Sequence, residues 1–170
     1  MKLRYKLLLL DRDGVLNQKM KDGEYVIDKS KLFIVYGVLE RVAKLTHQVR
    51  IAVVTNQQGV GKGLMSHEDL DNVNNEFNKH IVRLGGQKIR FFTCTHLRDA
   101  DCGCRKPKPG LLLEAISSFG VLPRETVFIG DQETDREAAK SAGIDFLKTC
   151  NPQTTISHLE SLSQGEKKEA

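Results

Sequence analysis

The chain contains no tryptophan, and aromatic residues make up only 6% of its 170 residues. Proteins that bind single-stranded nucleic acid usually stack bases on aromatic side chains set in a basic surface. The lysines and arginines are scattered here, except for a short basic cluster at residues 105–108. Nucleic acid is therefore not expected as a partner, and the basic cluster suits one or two phosphate groups.

Long apolar segments are also missing, since no stretch approaches the ~20 apolar residues that a membrane-spanning helix needs. The apolar run at residues 7–10 is short, is flanked by charged residues and lacks a small-residue cleavage site. It therefore does not resemble a secretion signal. We expect a cytoplasmic protein with no membrane partner. Four cysteines in a reducing compartment indicate metal binding or simple burial rather than disulfide bonds.

The composition is that of an ordinary globular protein. Hydrophobic residues make up 39% of the chain, charged residues make up 28%, and the formal net charge is +4. A chain of this length usually forms one domain and buries roughly 70% of the surface that its unfolded form exposes. We therefore predict a single domain over residues 1–163, followed by a flexible polar tail at residues 164–170.

Short apolar runs alternate with segments of helical periodicity, a pattern typical of a parallel α/β sheet. The sequence predicts a Rossmann-like fold with helices on both faces of the sheet. Ser66 and Asp69 match a capping box at a helix start, and Gly85 follows that helix as a stop. The predicted strands are residues 5–10, 51–55, 89–93, 126–129 and 145–148, and the predicted helices are residues 37–46, 66–84, 111–119 and 135–142.

Chemically reactive residues follow four of the predicted strands. In parallel sheets, ligands bind outside the carboxyl ends of the strands, so these segments are the candidates for a functional site. They read DRDGVLN, TNQQGVGKG, CTHLRDADCGCRKPKPG and GDQETD, in chain order. The GVGKG part matches neither common nucleotide-binding pattern, and we interpret it as a flexible connection.

Asp11 and Asp13 lie two residues apart where the first strand ends, so an extended backbone would turn both carboxylates to one side. Carboxylates held this close repel each other, which indicates a bound cation or a shared proton. Mg²⁺ suits such oxygen ligands, and Asp131 after the fourth strand could complete the site. Asp135 could orient a lysine or a metal-bound water, although a helix N-terminus favours an acidic residue without any such role.

Thr55 and Asn56 end the second strand. Their hydroxyl and amide groups could donate hydrogen bonds to phosphate oxygens, as could the backbone amides of the loop that follows. For Thr55 alone, a role in capping or turn formation is the simpler interpretation.

The segment after the third strand holds three of the four cysteines and one of the five histidines. Its spacing, C-x-H-x5-C-x-C, supplies four ligands of the kind that a structural zinc site uses. Burial of the thiols as small hydrophobic groups is the alternative, but Arg98, Asp99 and Asp101 between them cannot form an apolar core. No ligand role is expected for Cys150. The predicted zinc loop spans residues 94–104, with the ligands Cys94, His96, Cys102 and Cys104.

Arg105 and Lys106 follow the last zinc ligand directly. Zinc would fix where these cations point, and Pro107 and Pro109 would stiffen the loop further. A lysine can neutralise a transferring phosphoryl group, and an arginine can hold a second phosphate with two hydrogen bonds. The metal and the basic cluster are therefore predicted to act together, the first positioning the second.

Taken in order, DRDGVLN, TNQ, RKPKPG and GDQETD resemble the four signature motifs of the haloacid dehalogenase superfamily of phosphohydrolases. The zinc motif before RKP is similar to the branch that contains the heptose 1,7-bisphosphate phosphatases and the histidinol-phosphate phosphatases. The resemblance covers residues 7–147 and implies a Mg²⁺-dependent phosphatase. Many members carry a cap domain over the site, but neither residues 13–55 nor residues 56–105 leave room for one.

The resemblance assigns roles to individual residues. Asp11 would be the nucleophile that takes the phosphoryl group, and Asp13 would protonate the leaving oxygen and then activate water. Thr55 and Lys106 would hold the phosphoryl oxygens. The remaining assignments are Mg²⁺ ligation by Asp11, Asp131 and Asp13, the last through its backbone carbonyl, and substrate binding by Asn56, Gln57 and Arg105.

Within that branch, DRDGVLN, the downstream GEYV and TNQQGVGKG favour a heptose 1,7-bisphosphate and release of its C7 phosphate. The five-residue spacer of the zinc motif is instead similar to the histidinol-phosphate enzymes. Gln132 stands where the heptose enzymes carry a lysine, and residues 18–22 add to a loop that approaches the sugar in the family.

Three other functions remain as alternatives: a histidinol-phosphate phosphatase, a polynucleotide 3′-phosphatase and a catalytically inactive zinc-stapled binding module. Phe91 and Phe92 lie in a predicted strand and are interpreted as core, which disfavours base stacking and the polynucleotide activity. We expect a monomeric protein that acts on a small phosphorylated substrate, a sugar bisphosphate.

Overall fold

A computed structural model describes residues 3–164 of the chain. Five parallel strands form one sheet, and their spatial order is β3-β2-β1-β4-β5. All five predicted strands are present, and the Rossmann-like fold class is confirmed. The strands are β1 (Leu7–Leu10), β2 (Arg50–Asn56), β3 (Arg90–Cys94), β4 (Thr126–Gly130) and β5 (Asp145–Lys148).

Five α-helices and two short 3₁₀ helices connect and cover the strands. The four predicted helices are present, with ends shifted by no more than a few residues. The 3₁₀ helices are Lys29–Lys31 and Pro123–Glu125. The α-helices are α1 (Tyr36–Leu45), α2 (His67–Arg83), α3 (Gly110–Phe119), α4 (Glu133–Ala142) and α5 (Pro152–Gln164).

Helix α5 was not predicted from the sequence. Its segment is rich in serine and threonine, residues that favour caps and turns over helix interiors. The helical periodicity of its few apolar residues is therefore weak in the sequence. Thr155 and Leu159, four residues apart, are buried on one side of the helix. Of the predicted flexible tail at residues 164–170, Gln164 is the last residue of α5, and residues 165–170 lie outside the described part.

Strand β1 runs through the middle of the molecule, and its four leucines are at most 1% exposed. Successive side chains of a strand point to opposite faces. Leu8 and Leu10 therefore join a core beneath α1, α2 and α5, whereas Leu7 and Leu9 join a core beneath α3 and α4. Helices cover both faces, which explains why this strand is a continuous apolar run.

Helix α2 has the predicted ends. The backbone N–H of Asp69 donates to Ser66 Oγ at 3.0 Å, and the backbone N–H of Ser66 donates to the Asp69 carboxylate at 2.8 Å. Gly85 follows the helix with a φ of +84°, a conformation that glycine adopts without strain. These ends set the position of α2 along the sheet, which matters because Asn74 on this helix faces the interior.

Phe92 is buried against α3, and Phe91 packs on Phe77 of α2 with ring centroids 6.0 Å apart. Both rings are core residues, as the sequence indicated, and are not available for base stacking. None of the helices described over residues 3–164 has the length and apolar character required to cross a membrane.

The packing of α5 on α1 predicts the cost of truncating its buried leucine. Leu159 is 1% exposed, and Leu159→Ala should lower the free energy of unfolding by about 2–4 kcal/mol, because it removes buried methyl groups and leaves a cavity. The measurement is urea denaturation. The matched control is Glu160→Ala on the exposed side, which removes a 3.2 Å ion pair with Arg41 and should cost less than about 1 kcal/mol. Equal effects of the two changes would contradict this packing.

Candidate active site

The functional residues meet at the carboxyl edge of the sheet, around the end of β1. The chain leaves β1 towards β2 on one side and later returns to β4 on the other, so a crevice opens at this point of the sheet. Asp11 and Asp13 follow β1, Thr55 and Asn56 end β2, and Asp131 follows β4. The sequence-based expectation that these segments lie together agrees with the structure.

Lys106 lies at the centre of the site and is 4% exposed. Its Nζ is 2.9 Å from Asp11 Oδ1 and 2.7 Å from Asp135 Oδ1, and it also donates a hydrogen bond to the Val54 carbonyl at 2.9 Å. Burial disfavours the charged ammonium, but the two carboxylates hold the pKa of Lys106 above its ordinary value. The side chain is therefore a fixed positive charge beside Asp11.

Asp135 lies in the first turn of α4 and is 1% exposed. It accepts a hydrogen bond from the backbone N–H of Gln132 at 3.0 Å, so it caps the helix, and it contacts Lys106 as well. Asp135 therefore both caps the helix and orients a lysine, the two roles that the sequence suggested for it. A Cβ at Gly130 would lie 2.5 Å from the Asp135 carboxylate, so only glycine allows the carboxylate this position.

Asp11 is buried next to other acids. Burial raises the pKa of its carboxyl to about 7, although the ammonium of Lys106 opposes that rise. The carboxylates of Asp135 and Asp13 raise it as well. A divalent cation at this place would lower the pKa again, because it favours the ionised form.

The residues present fit a magnesium ion. One oxygen from each of Asp11, Asp131 and Asp135 lies within 4.8 Å of the others. Asp131 Oδ1 is buried without any hydrogen-bond partner, whereas Oδ2 accepts from Lys19 Nζ at 3.3 Å and from Gln132 Nε2 at 2.6 Å. An unpartnered buried carboxylate oxygen costs free energy unless a ligand meets it. Oxygen donors of this kind are the ones that Mg²⁺ prefers.

The side chain of Asp13 does not belong to that group of carboxylates, so among the predicted Mg²⁺ ligands it could contribute only its backbone carbonyl. Gly14 allows the close approach of Asp131, since it has a φ of +92° and a Cβ there would lie 2.7 Å from the Asp131 carboxyl carbon. A side chain at this position would be strained and would displace a candidate ligand.

Three side chains contact the Asp13 carboxylate and hold it in place. Asn17 Nδ2 donates to Oδ1 at 2.9 Å, Gln57 Nε2 donates to Oδ2 at 2.7 Å, and the Arg12 guanidinium lies 3.1 Å from Oδ1. Burial alone would raise the pKa of Asp13, but the positive charge of Arg12 and these hydrogen bonds bring it below its ordinary value.

Arg12 and Asn17 were missed by sequence reasoning, although both are completely buried. A signal for Arg12 was present. Residues 11 and 13 face the site, so the alternation of an extended chain points residue 12 the other way, into the protein. An arginine can enter the interior only with partners for its charge and its donors. Asp13 is the neighbouring residue, but the other two partners, Gln57 and Asn74, come from distant segments, which a motif does not reveal.

Thr55 and Gln57 are almost completely buried where β2 ends. Thr55 is 1% exposed, and its hydroxyl oxygen accepts a hydrogen bond from Gln57 Nε2 at 2.8 Å. Gln57 is 3% exposed, and its carbonyl oxygen accepts from Arg12. Its amide group is therefore engaged entirely within the protein. Asn56 exchanges two hydrogen bonds with the backbone of Lys106, at 3.0 and 3.1 Å, and so ties the loop after the cysteines to β2.

The four predicted zinc ligands converge. The Cys94 sulfur is 3.7 Å from that of Cys102 and 3.4 Å from that of Cys104, and His96 Nδ1 is 3.2 Å from the Cys104 sulfur. Ligands at the usual zinc distances of ~2.0–2.3 Å in a tetrahedron lie roughly 3.3–3.8 Å apart. The set therefore fits zinc. Cys150 is exposed and lies apart from it.

The cysteine cluster holds the loop that carries Arg105 and Lys106. Arg105 donates to the His96 carbonyl at 3.4 Å, and the Gly110 N–H donates to the Gly103 carbonyl at 3.1 Å. Both contacts fold the basic segment back on the ligand segment. A metal bound to the cluster would therefore restrain both cations.

Two adjoining cavities flank the carboxylates. One of about 370 Å³ is lined by Asp13, Lys19 and Tyr25, and one of about 510 Å³ is lined by Arg105 and Gln132. Asn56 and Arg98 line both. A larger groove of about 730 Å³ lies at the amino ends of the strands, opposite the carboxylates. It contains none of the predicted site residues, so it is not the candidate site.

Comparison with known proteins agrees with this geometry. Residues 103–164 match a family model described as HAD-hydrolase-like. A D-glycero-beta-D-manno-heptose-1,7-bisphosphate 7-phosphatase from Neisseria meningitidis is 34% identical over 81% of this chain and 73% of its own. The D-glycero-alpha-D-manno-heptose-1,7-bisphosphate 7-phosphatase of Mycobacterium tuberculosis is 37% identical over 78% of this chain and 70% of its own.

A solved structure shows the same relationship. The D,D-heptose 1,7-bisphosphate phosphatase of Bordetella bronchiseptica, crystallised with magnesium and phosphate, superposes with a TM-score of 0.80 at 31% identity. The match covers 90% of this chain and 86% of that one. Since both sequence and fold match over most of the chain, the protein is a phosphatase that belongs to the heptose-1,7-bisphosphate 7-phosphatase family of the haloacid dehalogenase-like hydrolases.

Proposed function

We propose that the protein releases the C7 phosphate of a D-glycero-D-manno-heptose 1,7-bisphosphate through an aspartyl-phosphate intermediate, with Mg²⁺ bound at the carboxylates. The observation that carries the proposal is the meeting of Asp11, Lys106 and the unpartnered oxygen of Asp131 at the carboxyl edge of the sheet. A nucleophile, a cation for the phosphoryl group and a free metal ligand are the parts that phosphoryl transfer requires. The relatives are heptose-1,7-bisphosphate 7-phosphatases, and we assign the same substrate class to this chain.

In the first half of the reaction, an Asp11 oxygen attacks phosphorus and the bond from phosphorus to the C7 oxygen breaks. Asp13 gives a proton to that oxygen, so the sugar leaves as an alcohol. The negative charge of the bound substrate opposes the effect of Arg12 on the pKa of Asp13 and favours the protonated form that this step needs. In the second half, Asp13 takes a proton from water, whose oxygen attacks the phosphorus of the aspartyl phosphate. Inorganic phosphate leaves, and Asp11 is again a carboxylate.

The remaining side chains stabilise charge. Lys106 lies against Asp11, so its ammonium is placed to neutralise oxygens of the transferring group, and Asp135 keeps it there. The Thr55 hydroxyl is a further donor at the strand end. Asp11, Asp131 and the Asp13 backbone carbonyl would hold Mg²⁺, while Asp135, the third carboxylate of the group, is paired with Lys106. The bound ion would offset the repulsion between the Asp11 carboxylate and the anionic substrate.

The second phosphate of the substrate would lie against a basic rim, formed by Arg98, Arg105 and Lys108. Arg105 and Arg98 line the cavity next to Lys106, and Lys108 lines it too but is paired with Asp101. Gln132 carries no charge on this rim, and Lys19, which contacts the same Asp131 oxygen, supplies a positive charge beside it. The rim therefore retains the cations that a bisphosphate needs, with Arg105 as the principal distal contact.

We also propose that residues 1–163 act as one capless domain in the cytoplasm, and as a monomer. The segment between β1 and β2 carries α1, and the segment from β2 to α3 carries α2, β3 and the cysteine loop, so nothing large enough to cover the site is inserted in the described chain. Zinc ligation needs cysteines that stay reduced, which a reducing compartment provides.

Phosphate release from a substrate panel tests the activity. We expect the highest kcat/KM on heptose 1,7-bisphosphate and much lower values on histidinol phosphate and a 3′-phosphorylated oligonucleotide. Arg105→Ala should lower kcat/KM on the bisphosphate on the order of 10- to 100-fold, because it removes a charge-assisted hydrogen bond, and should affect a small monophosphate less. Arg124→Ala, before β4 at the far edge of the sheet, is the control. Equal losses on both substrates would exclude the distal contact.

The roles of the two carboxylates after β1 are tested by isosteric amides. Asp11→Asn should abolish turnover without unfolding the protein, because it removes the nucleophile and little volume. Asp13→Asn should lower kcat by ~10²- to 10⁴-fold, the usual contribution of general acid–base catalysis. Asp71→Asn, on the exposed side of α2, controls for the loss of one negative charge. Turnover near that of the wild type in either of the first two variants would overturn the assignment.

The zinc loop is tested by Cys102→Ser against Cys150→Ser. Cys102→Ser should lose the metal and loosen Arg105 and Lys106, and a displacement of ~1 Å can lower the rate on the order of 10²-fold. Cys150→Ser should keep one zinc per chain and full activity, because Cys150 lies outside the cluster. Metal analysis, melting temperature and kcat/KM report the outcome. Full activity of zinc-free Cys102→Ser would show that the metal does not position the cations.

A further inference from the structure

The charge of Arg12 is enclosed by the protein. The side chain is fully buried, and within residues 3–164 its only ion pair is with Asp13, whose side chain is 29% exposed. A buried charge is tolerated only when it is paired and its hydrogen-bond donors are satisfied. Arg12 therefore stays where its partners hold it, and Asp13 lies between this fixed charge and the cavity that receives the substrate.

The guanidinium and Gln57 together clamp the carboxylate. Arg12 donates to Asp13 Oδ1 from Nε at 3.2 Å and from Nη2 at 3.1 Å, and Nη2 also reaches Oδ2 at 3.3 Å. Nη2 further donates to the Gln57 carbonyl oxygen at 2.9 Å, while Gln57 Nε2 donates to Asp13 Oδ2 at 2.7 Å. The three side chains thus form a closed ring of hydrogen bonds, which restricts rotation of the carboxylate.

Asn74 on helix α2 holds the far side of the guanidinium. Its Oδ1 accepts a hydrogen bond from Arg12 Nη1 at 3.1 Å, and Asn74 is 6% exposed. It makes no hydrogen bond to Asp13. A planar guanidinium fixed at Nη1 on one side and at Nε and Nη2 on the other has little freedom to tilt. The position of α2 thereby determines where the Asp13 carboxylate lies.

We propose that Arg12 and Asn74 are positioning residues for the acid–base step: Asn74 orients the Arg12 guanidinium, and Arg12 with Gln57 orients the Asp13 carboxyl towards the leaving oxygen. This inference rests on the proposed role of Asp13. Proton transfer depends steeply on placement, so loss of the clamp lowers the rate while leaving substrate affinity in place. In this proposal Gln57, which lines the cavity and which the resemblance implied as a substrate ligand, also orients Asp13.

The test uses Asn74→Ala in the full chain, since Asn74 lies outside the cavity and can reach the reaction only through Arg12. We expect kcat to fall on the order of 10-fold, the lower end of the range for groups that orient a functional ligand, with KM unchanged. Arg12→Lys keeps the charge but loses the planar fork, and kcat should fall further. In the Asp13→Asn background, Asn74→Ala should have no additional effect, because the group that it positions is gone.

Asn78→Ala, one turn further along α2, is the matched control. Asn78 exchanges hydrogen bonds with the backbone of Ile89 at 2.8 and 3.1 Å and does not contact Arg12. It should lower the melting temperature and leave kcat unchanged. The inference is overturned if folded Asn74→Ala keeps the wild-type kcat, if its loss is the same with and without Asp13, or if Asn78→Ala lowers kcat equally.

The same variants separate this inference from the proposed function. Wild-type turnover in Asp13→Asn alone would remove the acid–base role of that residue, and with it the reason for the clamp. A slow Asp13→Asn together with an unaffected Asn74→Ala would leave the proposed function standing and refute only the positioning roles of Arg12 and Asn74.

Discussion

The buried ammonium of Lys106 joins the parts of the site that are farthest apart in the chain. It contacts Asp11 after β1, the Val54 carbonyl in β2 and Asp135 at the start of α4, and it belongs to the loop that follows the cysteines. Removing one partner of a buried ion pair costs about 3–5 kcal/mol, because the charge that remains is uncompensated. The backbone hydrogen bonds of the sheet bring these elements together, and this one cation fixes how their functional side chains meet, so the rest of the site depends on it.

A second buried cation, Arg12, lies on the other side of Asp11. Lys106 faces Asp11 and Asp135, whereas Arg12 faces Asp13, so each of the two carboxylates after β1 has its own positive partner. The pKa values of the two acids nevertheless shift in opposite directions. Burial dominates for Asp11 and raises its pKa, whereas Arg12 and two amide donors lower that of Asp13. Two neighbouring aspartates of identical chemistry thus acquire different properties from their surroundings.

Local patterns predicted much of this arrangement. The apolar runs gave all five strands, the position of acidic residues after them gave the place of the site, and the spacing of the cysteines gave the metal cluster. Helix α5 was not predicted, because its apolar residues are few and its serines and threonines favour turns. The alternation of residues 11–13 indicates that Arg12 points inward, but its partners Asn74 and Gln57, 62 and 45 residues away, could not be predicted. Motifs identify groups that react, and only the packed structure shows which groups hold them.

The central position of β1 has a consequence for how the site responds to thermal motion. This strand is hydrogen-bonded to β2 on one side and to β4 on the other, and its side chains are enclosed by both cores. Its amide protons can exchange with solvent only through opening of most of the sheet, so they belong to the slowest-exchanging class of the molecule. Asp11 is attached directly to this strand. The reactive carboxylate therefore follows the strand that we expect to fluctuate least. The position of its backbone relative to the sheet should persist until the whole fold is lost.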